Sequence, residues 1–583
     1  MKNYLLITLG HNSSAIFVNN TSGKQEIIGY EQERFSRIKA DSQFPIDAIN
    51  EIEYNVGFCR MKGCTILISH WFNTGAQKFN KYITARNIEK LKSYTPEAIK
   101  FTNSEFTHHD AHAFSAHAFF KYNAHESQID SAPHHTLVVD GFGNDEEVLS
   151  IYLSAKKTDC PKLIHRVYGY KYSLGLFYQY ATSFVGMKQN QDEYKFLGYE
   201  ARIDDVLTVE QIDCLDHVIE GLVIYFLENW SNTTEKPDFH SDKYLINEQA
   251  LSSVKDFWYK QFASACDMID VKDYTSYNAR CAVAYLIQQT CEIALSQLID
   301  SYGVTNLTVV GGTFYNVKLN NKLLTEISGT FCAMPLAGDQ GAAIGMYEAE
   351  DKKDAPAFSF DNLSWGKRRL YNFEKYVRDD IHYAKIGKKD HTSLEKMAEM
   401  IATFVANGRL VNVVFGNMEF GPRALGNTST IFLPSVANTA HNNRMNNRNE
   451  VMPCAPICTV ENAVCLFDIE ELNRVVGSDR FMICTHNYIK PYSNQYGGVM
   501  HHKTLDTEWT GRPQVVRKGS FMDYVLNNVQ RLTDTRCLVN TSFNAHGNPI
   551  VFDTRDIIDN FNYQCEHAED KAHQPELFVI ELV

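Results

Sequence analysis

Short runs of β-forming residues alternate with helical periodicity through roughly the first 350 residues, and this alternation constrains the fold more than any other feature. Strand-like segments lie at Tyr4–Leu9, Thr65–Ser69, Thr136–Asp140 and Leu307–Gly311, and each ends at or beside a turn-forming residue. Between them, Ala279–Tyr302 places apolar residues along one face of a predicted helix. Strands that alternate with helices are typical of an α/β fold.

A polar segment interrupted by proline, Glu348–Leu370, separates this part of the chain from a second one. Beyond it, Ser393–Asn407 is a predicted helix and Leu410–Phe415 a predicted strand. A chain of 583 residues is too long for a single hydrophobic core. We therefore predict two mixed α/β domains, residues 1–355 and 356–583.

The composition excludes several classes of protein. Hydrophobic residues make up 44% and charged residues 22%, so the chain is not largely disordered, and its net charge of −14 disfavours global binding to polyanions. Apolar runs such as Leu222–Leu227 fall short of the roughly 20 residues that cross a bilayer. These short runs predict no membrane partner. The 14 cysteines form no CxxC pair, which predicts reduced thiols and a cytoplasmic location.

Seven of the 21 histidines lie within His108–His135. Among them His108 and His112 are four residues apart, which on a helix places both imidazoles on one face, within reach of one cation. Asp140 ends a predicted strand and Asp339 follows a glycine turn, where polar side chains enter the crevice at a sheet edge. These four side chains suit Fe, Mn or Zn without choosing among them, and a surface histidine cluster with acidic turn residues is the alternative.

Several turns have the composition of anion-binding sites. Val309–Asn320 contains a Gly-Gly turn between a strand and a helix start, and Gly10–Ser14 follows the first strand. Neither a Walker A sequence nor GxGxxG is present, which argues against P-loop and dinucleotide-binding folds. In the second domain, Glu419–Gly426 presents Arg423 and Val539–Asn544 ends a strand with hydroxyl and amide groups, which predicts a phosphate or carboxylate pocket.

Ten segments follow one another in an order that is more specific than any one of them. They are Gly10-His-Asn-Ser-Ser14, Glu31-Gln-Glu-Arg-Phe-Ser-Arg-Ile-Lys39, His108-His-Asp-Ala-His-Ala113, Ser173-Leu-Gly-Leu-Phe-Tyr178, Glu193-Tyr-Lys-Phe-Leu-Gly198, Val310-Gly-Gly312, Gly338-Asp-Gln-Gly341, Phe420-Gly-Pro-Arg-Ala-Leu-Gly426, Gly511-Arg-Pro-Gln514 and Asn540-Thr-Ser-Phe-Asn544. The series spans nearly the whole chain, and it resembles the O-carbamoyltransferases of the nodulation-factor, cephamycin and tobramycin kind.

The resemblance implies an N-terminal domain with the duplicated actin-like ATPase fold and a C-terminal YrdC-like domain. By the same resemblance, the C-terminal domain uses ATP and carbamoyl phosphate to make carbamoyl adenylate, and the N-terminal domain passes the carbamoyl group to an acceptor hydroxyl. A carbamoyl carbon is a poor electrophile because its nitrogen donates into it. An AMP leaving group and a cation on the carbonyl lower the barrier to attack by an alcohol.

The resemblance also assigns site residues. The expected metal ligands are His108, His112, Asp140 and Asp339, and the likeness favours Fe(II). The expected catalytic residues are His11, Arg423 and Ser542. His11 is expected either to act as a base toward the acceptor hydroxyl or to hold the carbamoyl group, and a hydrogen bond within a phosphate-binding turn is the alternative. The residues expected to hold nucleotide and carbamoyl phosphate are Gly311, Gly312, Asn316, Asn320, Glu193, Lys195, Arg448, Arg512 and Asn544. Mg²⁺ is an expected companion of ATP.

The chain departs from the family pattern in three places. The segment from Asn446 to Pro456 lacks a Lys and an Arg that the family usually carries, which leaves Arg448 as its cation. Asn12 stands where Asp is usual, and Thr428-Ser429 replaces an Arg-Ser pair. These departures bear on how carbamoyl phosphate is bound rather than on the class of reaction.

The sequence leaves the acceptor open between a hydroxymethylated pyrimidine, of the 5-hydroxymethylcytosine type, in a nucleotide or DNA, and a sugar or antibiotic hydroxyl. The segment Trp365–Tyr371, with Tyr376 and Arg378, combines basic and aromatic residues as a base-stacking surface does. A solvated linker face is the alternative, and the net charge of −14 supports that alternative.

Three other functional classes also remain open: a metal-dependent hydrolase, an actin-like sugar kinase and a non-catalytic nucleotide sensor. A hydrolase would give no role to the Arg423 and Ser542 loops, and a kinase would need neither the histidine pair nor a large second domain. The products formed from ATP and carbamoyl phosphate distinguish these classes. Small-molecule co-substrates are the expected partners, and a homodimer is an open alternative.

Overall fold

The computed structural model describes residues 2–21, 24–72, 83–95, 99–124, 133–156, 159–232, 235–236, 246–350, 357–448, 454–489, 496–502 and 509–583. Within these residues the chain forms four β-sheets with helices packed on and between them. The predicted mixed α/β class is therefore confirmed. The predicted strands and helices agree with the observed ones to within about two residues, the usual uncertainty of element ends.

Two five-stranded sheets occupy the first part of the chain. Their strands are β1 (Tyr4–Thr8), β2 (Ser14–Thr21), β3 (Lys24–Glu31), β4 (Thr65–Ser69), β5 (Ile99–Phe101), β6 (His134–Val139), β7 (Glu147–Ser154), β8 (Lys162–Tyr168), β9 (Asn306–Val310) and β10 (Phe331–Ala333). The first sheet has the order β3-β2-β1-β4-β5, and the second, read in the same sense, has β8-β7-β6-β9-β10. The central strand of each is antiparallel to one neighbour and parallel to the other. One topology is therefore repeated.

Twelve helices accompany these sheets in the described residues. They are α1 (Glu33–Ser36), α2 (Ile46–Val56), α3 (Phe58–Met61), α4 (Ala85–Tyr94), α5 (His108–Asn123), α6 (Leu174–Phe184), α7 (Glu193–Phe196), α8 (Val209–Asn232), α9 (Glu248–Met268), α10 (Tyr277–Ser301), α11 (Val317–Glu326) and α12 (Ala342–Ala349). Leu6 of the first sheet and Val138 of the second share one buried cluster with Ala116 of α5 and Ile344 of α12. Helices α5 and α12 therefore lie between the sheets, where alanine allows close approach.

The start of α5 is fixed by local chemistry. The hydroxyl of Thr107 accepts a hydrogen bond from the backbone of Asp110, whose carboxylate accepts one from the backbone of Thr107. This capping box begins the helix at His108. Because α5 lies between two sheets whose central strands end nearby, its first turn faces both carboxyl edges.

The second part of the chain is built around a seven-stranded mixed sheet. Its strands, with those of a small three-stranded sheet, are β11 (Ile381–Ile386), β12 (Val411–Phe415), β13 (Thr428–Phe432), β14 (Ala455–Thr459), β15 (His486–Asn487), β16 (His501–His502), β17 (Trp509–Gly511), β18 (Gln514–Val516), β19 (Leu538–Ser542) and β20 (Glu576–Leu582). The large sheet has the order β11-β20-β12-β13-β19-β14-β18, and β15-β17-β16 form the small one. The helices are α13 (His391–Ala406), α14 (Val436–Met445), α15 (Val460–Leu466), α16 (Ile469–Arg474), α17 (Phe521–Thr533) and α18 (Thr554–His567).

The two parts of the chain are packed against each other. Phe358, Phe360 and Trp365 are buried in the cluster that contains α5, and Phe420 joins the same cluster. The guanidinium of Arg34 donates to the carbonyl of Gly421 over 2.8 Å. The predicted domain boundary near residue 355 lies outside the described residues, so the division at 355/356 stays a prediction.

Candidate functional site: a metal-ligand cluster and an arginine pocket on one cavity

The two histidines at the start of α5 face each other across one helical turn. His108 and His112 are fully buried, and their Nε2 atoms lie 3.1 Å apart. The Nδ1 atom of His108 is 3.4 Å from the hydroxyl of Ser69, at the end of β4. Both Nε2 atoms are thus directed toward one point, as the spacing of the pair predicts.

Two aspartates complete the cluster from the second sheet and from the turn before α12. Asp140 follows β6, and its carboxylate lies 3.5 Å from His108 Nε2 and 3.6 Å from His112 Nε2. Asp339 begins a short 3-10 turn, and its carboxylate lies 3.3 and 3.7 Å from the same two atoms. The structure therefore brings together all four predicted ligands.

The spacing of these atoms fits a divalent cation. Ligand atoms bound at about 2.1 Å in a tetrahedral site lie about 3.4 Å from one another. The four side chains are all buried, and their ligand atoms lie within 4.8 Å of one another. His108, His112, Asp140 and Asp339 are therefore the residues that would hold a metal ion, and their donor atoms do not distinguish Fe from Mn or Zn.

The electrostatics of the cluster favour positive charge. Burial alone lowers the pKa of His108, but hydrogen bonds with Asp140 and Asp339 outweigh burial and raise that pKa to about 10. Burial opposes ionisation of Asp339, yet His108 and His112 hold its pKa well below the ordinary value. Two carboxylates at the centre of a buried site thus create a strongly negative potential.

A cavity of about 430 Å³ extends from this cluster to the C-terminal sheet. Asp140, Asp339 and His11 line it on the side of the first two sheets. The ring of His11 is exposed and stacks on Trp71 at a centroid distance of 6.4 Å. His11 therefore stands beside the metal-ligand cluster with an imidazole that can meet a ligand in the cavity.

Three arginines line the opposite side of the cavity: Arg423, Arg448 and Arg512. Within the described residues, none of the three forms an ion pair with a carboxylate, and the Nε atoms of Arg423 and Arg512 are buried without a hydrogen-bond partner. Burial lowers the pKa of Arg512 to about 9, with repulsion from Arg423 as the next cause. Arg512 is buried, and Arg423 and Arg448 are half-buried. Cations withdrawn from water without counter-ions are what a pocket for phosphate requires.

The loop after β19 holds one of these arginines. The guanidinium of Arg448 donates to the carbonyl oxygens of Ser542 and Asn544 over 2.6 and 2.9 Å, and it contacts Thr541. Ser542 and Asn544 also line the cavity. The predicted residues of the C-terminal pocket are therefore in one place, although residues 449–453 of the divergent segment lie outside the described residues.

The Gly-Gly turn after β9 lies against the metal-ligand cluster. The N–H of Gly312 donates to Asp140 over 3.0 Å, and Gly312 lines the cavity. A Cβ on Gly311, whose φ is +107°, would lie 2.2 Å from the carbonyl oxygen of Val139, so only glycine permits this approach. Asn316 lines the cavity and caps α11 by accepting from the N–H of Leu319.

Asn320 occupies a different position from the one expected of a nucleotide ligand. Its amide donates to the carbonyl oxygens of Phe314 and Ile483 over 2.8 and 2.6 Å, and the residue is fully buried. It is not among the residues that line the cavity. The geometry gives Asn320 a structural role, because it connects α11 to the C-terminal part of the chain.

The α7 segment closes the cavity from a third side. Glu193 lines the cavity, and burial raises the pKa of its carboxyl to about 7. The ammonium of Lys195 forms an ion pair with Asp192 and lies 2.8 Å from Nε2 of His546. Burial, followed by the charge of Lys195, lowers the pKa of His546, so the imidazole accepts this hydrogen bond.

Several residues that line the cavity have no role predicted from the sequence. They are Glu31, Glu33, Arg34, Lys39, Tyr315 and His546. Arg34 is buried and paired with both Glu31 and Glu33 over 2.6 Å. The Glu31–Lys39 motif was visible in the sequence, but Tyr315 carried no signal of its own.

The basic and aromatic segment Trp365–Arg378 is partly internal. Trp365 is buried, and Arg368 donates to the carbonyl oxygens of Gly416 and Asn427, both over 3.0 Å. Neither side chain is presented to a nucleic acid. Tyr371 is exposed, so only part of this segment matches a solvated linker.

In this mixed α/β protein, the metal-ligand cluster and the arginine pocket lie on one cavity. A metal ion that polarises a carbonyl and cations that bind phosphate are features of enzymes that transfer groups. A family model described as carbamoyltransferase N-terminus matches residues 99–347, and one described as carbamoyltransferase C-terminus matches residues 402–567. Together they cover well over half of the chain. The chain belongs to the carbamoyltransferase family and is a carbamoyltransferase, as the motif series predicts.

Relatives extend the similarity over almost the full length. An uncharacterized protein of Methanocaldococcus jannaschii is 25% identical over 573 residues, which is 95% of this chain and 95% of that protein. An uncharacterized protein of Synechocystis sp. is 25% identical over 92% of this chain and 90% of its own length. The nodulation protein NolO of Bradyrhizobium diazoefficiens is 31% identical over 44% of this chain and 47% of that protein.

Among the described residues, no helix combines the length and the apolar character that a bilayer crossing requires.

Proposed function

We propose that this carbamoyltransferase is ATP-dependent, and that each end of its cavity carries out one half of the reaction. The arginine pocket activates a carbamoyl group as carbamoyl adenylate, and the side with the metal-ligand cluster transfers that group to an acceptor hydroxyl. The observation that supports this proposal is the cavity itself, because Asp140 and Asp339 line the same space as Arg423, Arg448 and Arg512.

The proposed activation has two steps. Water cleaves carbamoyl phosphate to carbamate and phosphate, and a carbamate oxygen then attacks the α-phosphorus of ATP and expels pyrophosphate. Phosphate, pyrophosphate and the α-phosphoryl group that links the carbamoyl group to the nucleoside are all anionic. Arg423, Arg448 and Arg512 supply three cations without carboxylate partners in the described residues, and charge-assisted hydrogen bonds from such groups bind phosphate strongly.

The transfer step uses the other end of the cavity. The acceptor oxygen attacks the carbamoyl carbon, AMP leaves, and the hydroxyl proton passes to a base. His11 is the proposed base because its exposed imidazole lines the cavity beside Asp339. A bound divalent cation, for which we propose Fe(II), would polarise the carbonyl. Mg²⁺ would accompany ATP.

We also propose a fold for each part of the chain and a location in the cell. The repeated order of the first two sheets supports the duplicated actin-like ATPase fold, and we assign the C-terminal part as YrdC-like on the resemblance of its motifs. Gly312 and Asn316 would face the nucleotide, and the proposed co-substrates are small molecules. The absence of disulfides among the 14 cysteines supports a cytoplasmic location.

The charges of the cavity narrow the class of acceptor. Its acidic lining residues are Glu31, Glu33, Asp140, Glu193 and Asp339. Two of them are paired with Arg34, two belong to the metal-ligand cluster, and burial raises the pKa of Glu193 to about 7. Among the described residues that line the cavity, no carboxylate is therefore both fully ionised at neutral pH and without a partner for an ammonium group. A neutral or anionic acceptor, such as a hydroxymethylated pyrimidine nucleotide, suits this cavity better than a polycationic antibiotic.

The test combines the protein, ATP and carbamoyl phosphate, and measures phosphate, pyrophosphate and AMP. The proposal expects pyrophosphate, whereas a kinase forms ADP, a hydrolase needs no ATP and a sensor forms neither product. A second experiment offers hydroxymethylated nucleotides, neutral sugars and aminoglycosides, and records the mass gain of one carbamoyl group by mass spectrometry. Carbamoylation of the aminoglycosides alone would contradict the electrostatic argument for the acceptor.

A further inference from the structure

Tyr315 stands between the two ends of the cavity. It is the last residue of the 3-10 turn Gly312–Tyr315, which follows β9, and its side chain lines the cavity. On one side it meets Arg423 of the arginine pocket, and on the other it meets the turn that carries Asp339. One side chain therefore contacts a residue from each proposed half-site.

The aromatic ring of Tyr315 interacts with Arg423. The guanidinium carbon of Arg423 lies 6.0 Å from the centroid of the ring, at the outer limit of a cation–π contact. The Nε atom of Arg423 is buried and has no hydrogen-bond partner, and no carboxylate in the described residues pairs with this guanidinium. Among the described residues, the ring of Tyr315 is therefore a neighbour that can hold this guanidinium in place of a carboxylate.

The hydroxyl of Tyr315 contacts the turn on the other side. It accepts a hydrogen bond from Nε2 of Gln340, which is fully buried. A Cβ on Gly338 would lie 3.0 Å from Cε2 of Tyr315, so the turn approaches the ring as closely as glycine allows. Asp339 lies between these two residues in the chain. The hydroxyl and the ring edge therefore hold the backbone that presents the Asp339 carboxylate.

We propose that Tyr315 is a positioning residue for both half-sites: its ring holds Arg423, and its hydroxyl, through Gln340, holds the turn that carries Asp339. This inference rests on the proposed function, which defines the two half-sites, whereas both contacts are observed in the structure. The ring and the hydroxyl of Tyr315 make different contacts, so substitution can separate their two roles. Tyr315→Phe keeps the ring and removes the hydroxyl, whereas Tyr315→Leu removes both.

The experiment measures two affinities on the full-length protein. The first is the affinity for Co²⁺, which tests the metal-ligand cluster and is followed by the visible spectrum of the bound ion. The second is the affinity for inorganic pyrophosphate, which tests the arginine pocket and is measured by calorimetry. Tyr315→Phe should bind Co²⁺ about 10–100-fold more weakly, as loss of an outer-shell contact does, and bind pyrophosphate within about twofold of wild type. Tyr315→Leu should show the same loss for Co²⁺ and also bind pyrophosphate about 10-fold more weakly.

Two further variants keep the proposal testable if Tyr315→Leu does not fold. Gln340→Leu removes the partner of the hydroxyl, so it should weaken Co²⁺ binding as much as Tyr315→Phe, and the double variant should be no weaker than either. Tyr285→Phe is the matched control, because it removes a buried hydroxyl that donates to Asp216 in the helical layer, away from the cavity.

Wild-type Co²⁺ affinity in Tyr315→Phe, wild-type pyrophosphate affinity in Tyr315→Leu, or additive losses in the double variant would each overturn the proposal. Neither binding measurement requires turnover. A chain that releases no pyrophosphate from ATP and carbamoyl phosphate would refute the proposed function while leaving the role of Tyr315 to be decided by these affinities.

Discussion

Replacing Arg512 by methionine should make the ligand-free protein more stable while reducing the stabilisation that anions give it. Arg512 is 9% exposed, and within the described residues it has no carboxylate partner. Burial, with repulsion from Arg423 as the second cause, lowers its pKa from 12.5 to about 9. The folded protein thus keeps this cation largely out of water, which lowers the free energy of unfolding. A bound anion would offset that loss.

The size of this effect follows from the pKa. A drop from 12.5 to about 9 corresponds to at most about 5 kcal/mol, at about 1.4 kcal/mol per pKa unit. Relaxation and water entry reduce the figure. Replacing a buried ion pair by apolar residues of similar volume is neutral or stabilising by about 1–4 kcal/mol, and we expect an effect in that range here. The unfolded side chain keeps its proton to a higher pH than the folded one, so the penalty is complete at pH 7 and decreases only above about pH 9.

The assay is urea unfolding at pH 7 with and without pyrophosphate. Arg512→Met should unfold at higher urea than wild type. Pyrophosphate at 100 times the wild-type Kd contributes about 2.7 kcal/mol to the wild type and should stabilise the variant less, because the variant keeps only two of the three arginines. Arg555→Met is the control, because the side chain of Arg555 is 88% exposed and should change neither quantity. A destabilised Arg512→Met, or equal stabilisation of both proteins by pyrophosphate, would refute the reasoning.

Two other substitutions test particular assignments. Burial raises the pKa of Glu193 to about 7, so the folded protein retains this proton longer than the unfolded chain and the free energy of unfolding should fall as pH rises from about 4.5 to 7. Glu193→Gln should remove up to about 3 kcal/mol of that dependence in urea unfolding at pH 5 and 8, and an unchanged pH profile would contradict the assignment. Asn320→Ala should destabilise the protein by about 1–3 kcal/mol, because it removes two buried hydrogen bonds, and leave ATP affinity within twofold. Loss of ATP binding without loss of stability would instead restore Asn320 as a nucleotide ligand.

The parts of the site that the sequence could predict are those set by local geometry or by a whole motif. The spacing of His108 and His112 is a property of one helical turn, and Thr107 fixes where that turn begins. Asp140 follows a strand whose last three residues, Leu137–Val139, form an apolar run that is evident in the sequence. The arginine pocket was predicted from motifs, and the structure places its members around one cavity.

The remaining features depend on contacts between distant parts of the chain. Asn316 and Asn320 are one helical turn apart in the same motif, yet only the first lines the cavity, because Ile483 lies where the second is directed. Arg368 lies in a polar run, but carbonyl oxygens from the C-terminal sheet surround it. Tyr315 is significant because Arg423 and Gln340, both distant in the sequence, fold against it. No periodicity in the sequence reports such pairings.

The most direct test of the two-ended account compares the half-reactions of two variants. His112→Ala should lose bound metal and carbamoyl transfer while releasing pyrophosphate from ATP and carbamoyl phosphate at the wild-type rate. Arg423→Ala should keep its metal and release pyrophosphate about 10²–10³-fold more slowly. His217→Ala, a substitution on the exposed face of α8, serves as the control. If His112→Ala loses pyrophosphate release to the same extent as Arg423→Ala, the division of the reaction between the two ends of the cavity is wrong.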